Sequence, residues 1–464
     1  MTDYKVKRLI IITLPCYFGW LLSFPFYGPI MVGAEKHYGL NGNVLVALFT
    51  LCHCLGFIMG SMLGKKKDQW YRFMYISALI TLVSHLLMLI PSSFIWYFGM
   101  VVSGVCSAFY ILGWSYFFSF SSEVDRRVDI MVPVIVASNL ILVGMSRVEN
   151  WFSFPVLWVL SSGLLVATMV ILIRMPLKLK KRLSAPMASQ PLPKILLGII
   201  GLFIFSIYIN GGFMYRIILP VMEEGFENPG SFQNVTYILV LVAIYKFRRK
   251  ISYDLLLYLG VGLLGLAFVS FALLDKGIAG FFMAIGLVEA SFSIIDLFIW
   301  TVMSNLAFVY GSSFQFFGIA MAATTGSILV GDLIGDRLLH IGANHRLITA
   351  LLASASIFIA LIVMPWLSRF IESKMMWMNK EKDSKQEDGE PQDVFITQFL
   401  SIGDELTDRQ MEITRLVLKG MTNKEIAEQL FISENTVKTH IKNVCNKFGV
   451  TKKRDLIHLA TREE

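Results

Sequence analysis

Twelve stretches of this chain, near residues 9–32, 44–63, 73–90, 94–118, 130–146, 155–173, 195–215, 232–247, 254–274, 278–303, 311–334 and 347–368, are almost wholly apolar. Each approaches the roughly 20 residues that an α-helix needs to cross a hydrocarbon core of about 30 Å. In that core every backbone N–H and C=O must be satisfied within the protein, so repeated runs of this length read as helices. The composition agrees, with 55% hydrophobic and only 16% charged residues in 464, against about 25% charged in an ordinary soluble domain. A soluble globular enzyme, a disordered chain and a disulfide-stapled secreted module are thereby excluded. The expected fold class is all-α: a polytopic membrane helix bundle of about 12 spans in a 6+6 arrangement, followed by a small soluble helical domain.

Charge placement gives the orientation. With the N-terminus inside, the loops on that side carry 19 Lys+Arg and the opposite loops carry six (Lys36, Arg147, Arg216, Lys276, Arg337 and Arg346). This is a strong positive-inside bias, and an even number of spans returns the C-terminus to the same side. The first run follows Lys5, Lys7 and Arg8 like a signal peptide, but it is too long, contains Pro15, Pro25 and Pro29, and has no A-x-A site. It therefore reads as a retained helix. Five cysteines (Cys16, Cys52, Cys54, Cys106 and Cys445) without a C-x-x-C spacing read as reduced, buried thiols. Cys52-His53-Cys54 points in three directions on a helix, so no metal site is expected.

The 6+6 pattern around a basic central loop (Lys178, Lys180, Lys181, Arg182) resembles the major facilitator superfamily. The loop after the second run keeps Gly64, Asp68 and Arg72 of that family's G-x-x-x-D-x-x-G-R signature. Tyr71 replaces its second glycine, and the corresponding loop at Lys246–Asp254 lacks the pattern. The resemblance implies the architecture and, more weakly, transport. Gly56, Gly60 and Gly64 form a small-xxx-small ridge that permits close helix approach. Gly260-Val-Gly262-Leu-Leu-Gly265 fits a nucleotide-binding pattern but lies inside an apolar span with no strand before it, and it is set aside.

After the last run the grammar changes. The organisation expected is a transmembrane sensor domain at 1–368, a cytoplasmic linker at 369–405 and a DNA-binding domain at 406–464. Ser368–Met378 reads as a short interfacial helix, and Asn379–Asp393 as solvated linker with nothing to place in a core. A flexible tether of about 25 residues reaches roughly 25–30 Å, which keeps the C-terminal domain near the membrane. Thr407-Asp-Arg-Gln410 and Thr422-Asn-Lys-Glu425 fit the capping box. Gly420 is placed for a left-handed helix end. Ser433 is placed to cap a helix over Glu434–Phe448, Gly449 to close it, and Thr451 to open a fourth helix. Ile413, Val417, Ile426, Ala427, Leu430, Ile432, Val437, Ile441, Val444 and Phe448 supply a shared core at helical spacing.

A short helix, a three-residue turn and a longer polar helix make a helix-turn-helix. Leu406-Thr407, Gly420-Met-Thr-Asn-Lys-Glu-Ile-Ala427, Phe431-Ile-Ser-Glu-Asn-Thr-Val-Lys-Thr-His440 and Lys447-Phe-Gly-Val450 resemble the LuxR-type (GerE-like) domain along nearly its whole length. Gln410 and Thr414 depart from the family's usual Glu and Leu. The resemblance implies base contacts from Lys438, Thr439 and Lys442. Thr422, Lys424, Ser433, Thr436 and Lys447 are placed for phosphates, and Leu456, Ile457 and Leu459 for pairing through a fourth helix. Taken alone, Lys438 and Lys442 would read more simply as a solvated charged face. From Leu406 to Glu464 there are 11 Lys+Arg against 8 Asp+Glu, a net +3, so one copy is expected to bind DNA weakly until two engage two half-sites.

Ionisable groups within spans are functional candidates. Glu289 and Asp296 lie seven apart, on one face of the tenth run; Asn139, Asn210, His85 and Asp332 are further polar groups at depth. Glu289, Asp296, Trp300 and Asn139 are the candidate ligand-binding set, for a cationic or polar small molecule or for protons. Structural pairing between helices is the competing reading for the acids, and simple packing for Trp300. No nucleophile–base pair, cofactor motif or metal-ligand cluster appears, so catalysis is not expected. The function expected is a one-component transcription regulator in a bacterial cytoplasmic membrane. Its partners are double-stranded DNA, the lipid bilayer, an unknown small molecule and a second copy. The alternatives are a working carrier that also reports its flux to DNA, and release of the DNA-binding domain by proteolysis.

Overall fold

The computed structural model describes residues 3–26, 28–63, 70–121, 126–148, 151–174, 193–220, 229–248, 253–274, 278–340, 345–387, 406–418, 420–430, 432–448 and 450–456. They fall into two compact units, Asp3–Lys374 and Met375–Glu464. Among the described residues every regular element is helical.

The first unit begins with α1 (Asp3–Ser23), α2 (Pro29–Tyr38), α3 (Gly42–Leu63), α4 (Trp70–Leu87), α5 (Ser93–Ser121), α6 (Arg127–Val148) and α7 (Phe154–Ile173). It continues with α8 (Lys194–Phe213), a π-helical turn at Met214–Ile218, α9 (Pro229–Phe247), α10 (Tyr253–Leu273), α11 (Ile278–Tyr310), α12 (Ser313–Leu339) and, as far as Lys374, α13 (His345–Glu387). Nine described helices are long and apolar enough to cross a membrane, and three shorter apolar helices (Ile12–Ser23, Tyr71–Leu87 and Asn234–Phe247) cover the remaining runs. Each of the twelve apolar stretches is thus helical over most of its described residues.

Two boundaries differ from expectation. The run at 9–32 is not one helix: α1 stops at Ser23, Gly28 is extended, and Pro29 opens α2 at a position where a missing N–H costs nothing. Gly39, with φ of 65°, then ends α2 by bonding to the Glu35 carbonyl. At the other end, α13 continues past residue 368 to Glu387, so the first part of the expected linker is helical. Its Lys- and Glu-rich sequence has the intrinsic propensity for this. The rest of the linker, 388–405, lies outside the described residues, as does Gly64 of the glycine ridge.

Small residues set the helix approaches. A Cβ on Gly56 would press on Ala108, and one on Gly60 would overlap Leu112, so the predicted ridge faces α5. Gly212 of α8 and Gly331 of α12 cross backbone to backbone: a Cβ on either would overlap a carbonyl oxygen of the other helix. Gly260-Val-Gly262-Leu-Leu-Gly265 is plain helix interior in α10. His85 is stacked on Trp158 at 4.0 Å, while Trp20 Nε1 donates to its Nδ1 at 3.4 Å and Ser161 bonds its Nε2 at 3.3 Å. His53 is held by the Gly104 carbonyl at 3.0 Å and Ser107 at 2.7 Å.

Polar bonds between the first six spans and the last six gather at the end that carries the basic loops. Arg127, counted from sequence as a loop charge, is instead fully buried; it donates to Asn305 of α11 and to the Ser119 carbonyl. Asp129 pairs with Arg248 at 2.6 Å, and the Ser115 and Ser313 hydroxyls meet at 3.1 Å. Deeper in the bundle, Cys54 Sγ donates to the Ala322 carbonyl.

Candidate nucleic-acid interface and buried carboxylate cluster

In the second unit, α14 (Asp408–Leu418), α15 (Asn423–Gln429) and α16 (Glu434–Lys447) surround a core of Ile413, Val417, Ile426, Val437, Ile441 and Val444. Leu430, Ile432 and Phe448 pack against it from partly exposed positions. Both predicted capping boxes form. Thr407 N–H donates to Gln410 Oε1 at 3.1 Å and Gln410 N–H to Thr407 Oγ1 at 3.3 Å. Thr422 N–H donates to Glu425 Oε2 at 2.7 Å, and Glu425 N–H returns to Thr422 Oγ1 at 3.3 Å. Gly420 takes φ of 82°, and Ser433 Oγ accepts from Thr436 N–H at 3.1 Å. Thr414 is buried with its hydroxyl given to the Gln410 carbonyl. Gly449 lies outside the described residues.

These caps carry the domain's local electrostatics. Two bonds from Thr422, backbone and hydroxyl, hold the Glu425 carboxyl below the usual carboxylate range. Lys453, at the start of the fourth helix, reaches back to the Met421 carbonyl at 2.6 Å and Asn423 Oδ1 at 3.3 Å. Partial burial lowers its ammonium pKa, with Glu425 opposing that shift. Burial likewise raises the Cys445 thiol.

Within the bundle, Glu289 and Asp296 share one face of α11. Asp296 Oδ1 accepts the Tyr208 hydroxyl from α8, and Oδ2 accepts the Tyr237 hydroxyl from α9 at 2.5 Å. Tyr208 is stacked on Phe292 with centroids 5.3 Å apart. Tyr215, in the π-helical turn, lies within electrostatic reach of both carboxylates. The next residue, Arg216, makes a bidentate pair with Asp332 of α12, with Nε–Oδ1 and Nη2–Oδ2 both 3.0 Å. Asn139 and Trp300 have other partners. Asn139 Nδ2 bonds to the Ile135 carbonyl of its own helix at 3.0 Å. Trp300 packs among Phe18, Trp114 and Phe317 at 5.2–6.0 Å. The tyrosines were missed from sequence.

Residues 404–460 match the family described as bacterial regulatory proteins, luxR family. The C-terminal domain is a LuxR-type DNA-binding domain. It is similar to the nitrate/nitrite response regulator protein homolog of Haemophilus influenzae, 55% identical over 47 residues, which is 10% of this chain and 23% of that protein. The transcriptional regulatory protein LiaR of Bacillus subtilis is 54% identical over 46 residues, 10% of this chain and 22% of that one. The oxygen regulatory protein NreC of Staphylococcus aureus is 41% identical over 59 residues, 13% and 27% respectively. The chain thus spans about a quarter of the length of these curated relatives, all within the LuxR-type domain. The bundle is similar to the human organic anion transporter MFSD10 (TETRAN), with a TM-score of 0.62 and 12% identity over 78% of this chain and 100% of that one. The protein is a multi-pass membrane protein with a major-facilitator-like fold joined to a LuxR-type domain.

On the LuxR-type domain's third helix, α16, Val437, Ile441 and Val444 face the core, which leaves Lys438, Thr439, Lys442 and Asn443 exposed along one side. Lys438 Nζ lies 3.1 Å from Glu434, an exposed pair that is easily exchanged for another partner, and Thr439 Oγ1 donates to the Asn435 carbonyl. Lys424, Ser433 and Thr436 are exposed, and Lys447 Nζ donates to Gln410 Oε1 at 3.2 Å. Thr422 fits the phosphate set less well, because its hydroxyl proton is already given to Glu425 Oε2 at 2.9 Å and that carboxylate repels an anion. Leu456 is withdrawn as a pairing residue: it is 1% exposed, inside the core of its own domain. Ile457 and Leu459 lie outside the described residues.

Proposed function

We propose that the protein is a membrane-bound one-component transcription regulator: its bundle senses a small molecule and its LuxR-type domain binds DNA in response. The observation that carries this reading is the exposed Lys438–Thr439–Lys442 edge of α16, in the same chain as a bundle that buries Glu289 and holds Asp296 between two tyrosine hydroxyls. Lysine donates to guanine O6 and N7 in the major groove, and a threonine methyl contacts thymine. The hydroxyls and lysines around it position the helix on phosphates. Glu289 and Asp296 are the proposed sensing groups, for a cationic or polar molecule. In this reading both chain ends lie on the cytoplasmic side of a bacterial cytoplasmic membrane, which the positive-inside bias of the loops supports, and two copies act together on paired half-sites. Coupling of roughly 1–3 kcal/mol changes occupancy 5- to 150-fold, provided the ligand's contacts differ between two packings of the bundle.

Footprinting of full-length protein in membranes, against a panel of small cations and polar metabolites, tests the reading. Lys438→Ala abolishes protection. Glu289→Ala keeps basal protection and loses the ligand response; an undiminished response in that variant removes the site. A carrier reading draws on the same two acids, and gradient-driven, saturable uptake into vesicles would favour it.

A further inference from the structure

On the outer face of the bundle, α4 and α5 leave between them a groove of about 410 Å³. Ile76, Ile80, Val105 and Phe109 line it with hydrocarbon, Cys106 lies along its wall, and Arg72 stands at one end. That volume falls within the range that holds a small ligand. The groove opens toward the bilayer side, where Ile76 is 51% and Ile80 39% exposed. Arg72 occupies the first turn of α4, directly after the basic loop, and is itself exposed. The arrangement therefore has two chemistries in order: a cation at the level of the headgroups, then an apolar trough running into the membrane.

We infer that this groove is a binding site for an anionic phospholipid, one acyl chain lying between α4 and α5 and the phosphate on Arg72. Clefts between transmembrane helices that carry basic residues at the cytoplasmic end select anionic headgroups in this way. A zwitterionic lipid fits the trough equally well but gains less from the arginine, so the charge at the mouth decides the occupant. The inner leaflet as the source rests on the orientation proposed above; the site itself does not. The groove also borders the seam between the two six-helix halves. Phe73 of α4 stacks on Phe109 at 5.5 Å and meets Phe314 of α12 at the same distance. A bound lipid thus braces the contact of α4 and α5 with α12.

The full chain in nanodiscs of equal phosphatidylglycerol and phosphatidylcholine, stripped gently and weighed by native mass spectrometry, reads the occupant directly. The parent retains phosphatidylglycerol about fivefold over phosphatidylcholine, the discrimination set by one basic residue near the surface. Arg72→Gln, an exposed change, brings the two lipids to parity. Ile80→Trp fills the groove from the lipid side and lowers retention of both. A preference that survives Arg72→Gln overturns the inference, as does its displacement by inorganic phosphate. The readout involves neither DNA nor a sensed molecule, so its failure is distinct from failure of the regulator reading.

Discussion

At the scale of residues, Asp296 shows how a charge is kept inside an apolar bundle. Each carboxylate oxygen takes a phenol from a different helix, which turns a costly ion into a junction of α8, α9 and α11. Tyr237→Phe should therefore lower stability by about 1.5–3 kcal/mol, the worth of a hydrogen bond to a charged group, read as a fall in melting temperature in nanodiscs. Glu425 makes a pH prediction. Its carboxyl is held below the unfolded value near ~4.3, so its contribution is present above that value and lost as pH falls through the lower folded one. An acid titration of the C-terminal domain by circular dichroism should show the parent losing ground to Glu425→Gln below about pH 4; coincident acid midpoints would discard the cap's electrostatic role. The acids were legible because a charge in an apolar run stands out. Their tyrosine partners were not, since a phenol in a span is equally compatible with packing; Asn139 was grouped with the acids for its depth, and Trp300 because it shares their helix and could offer a stacking surface. Depth in a helix does not say which neighbour it faces.

At the scale of elements, caps and crossings decide what holds. Ser433 caps α16, and Ser433→Ala should cost about 1 kcal/mol and lower the midpoint of urea unfolding of that domain. Where α8 crosses α12 there is no room for a methyl group, so Gly331→Ala should cost about 1–3 kcal/mol or more, seen as a lower melting temperature or lost expression. The helices of the C-terminal domain were readable almost residue by residue, because Thr407, Gly420, Thr422 and Ser433 punctuate it with side chains whose purpose is local. The bundle offered no such punctuation. Pro25 and Pro29 hinted at the break between α1 and α2, but apolar residues on both sides hid it. The continuation of α13 to Glu387 was hidden by the opposite bias: polar composition reads as linker even where its propensity is helical.

At the scale of the whole molecule, a LuxR-type domain with net charge +3 is a weak electrostatic binder. Fluorescence anisotropy on one and on two half-sites should show the slope of log affinity against log salt about doubling with the second site, since each copy releases its own counterions. An unchanged slope would mean that a single copy reads the DNA. The bundle's architecture has its own consequence. The ion pair Asp129–Arg248, the Arg127–Asn305 bond and the Ser115–Ser313 contact clasp the two six-helix halves at their basic-loop end. Any rearrangement that parts the halves at this rim must break all three contacts together, so motion there comes as a single concerted step or not at all.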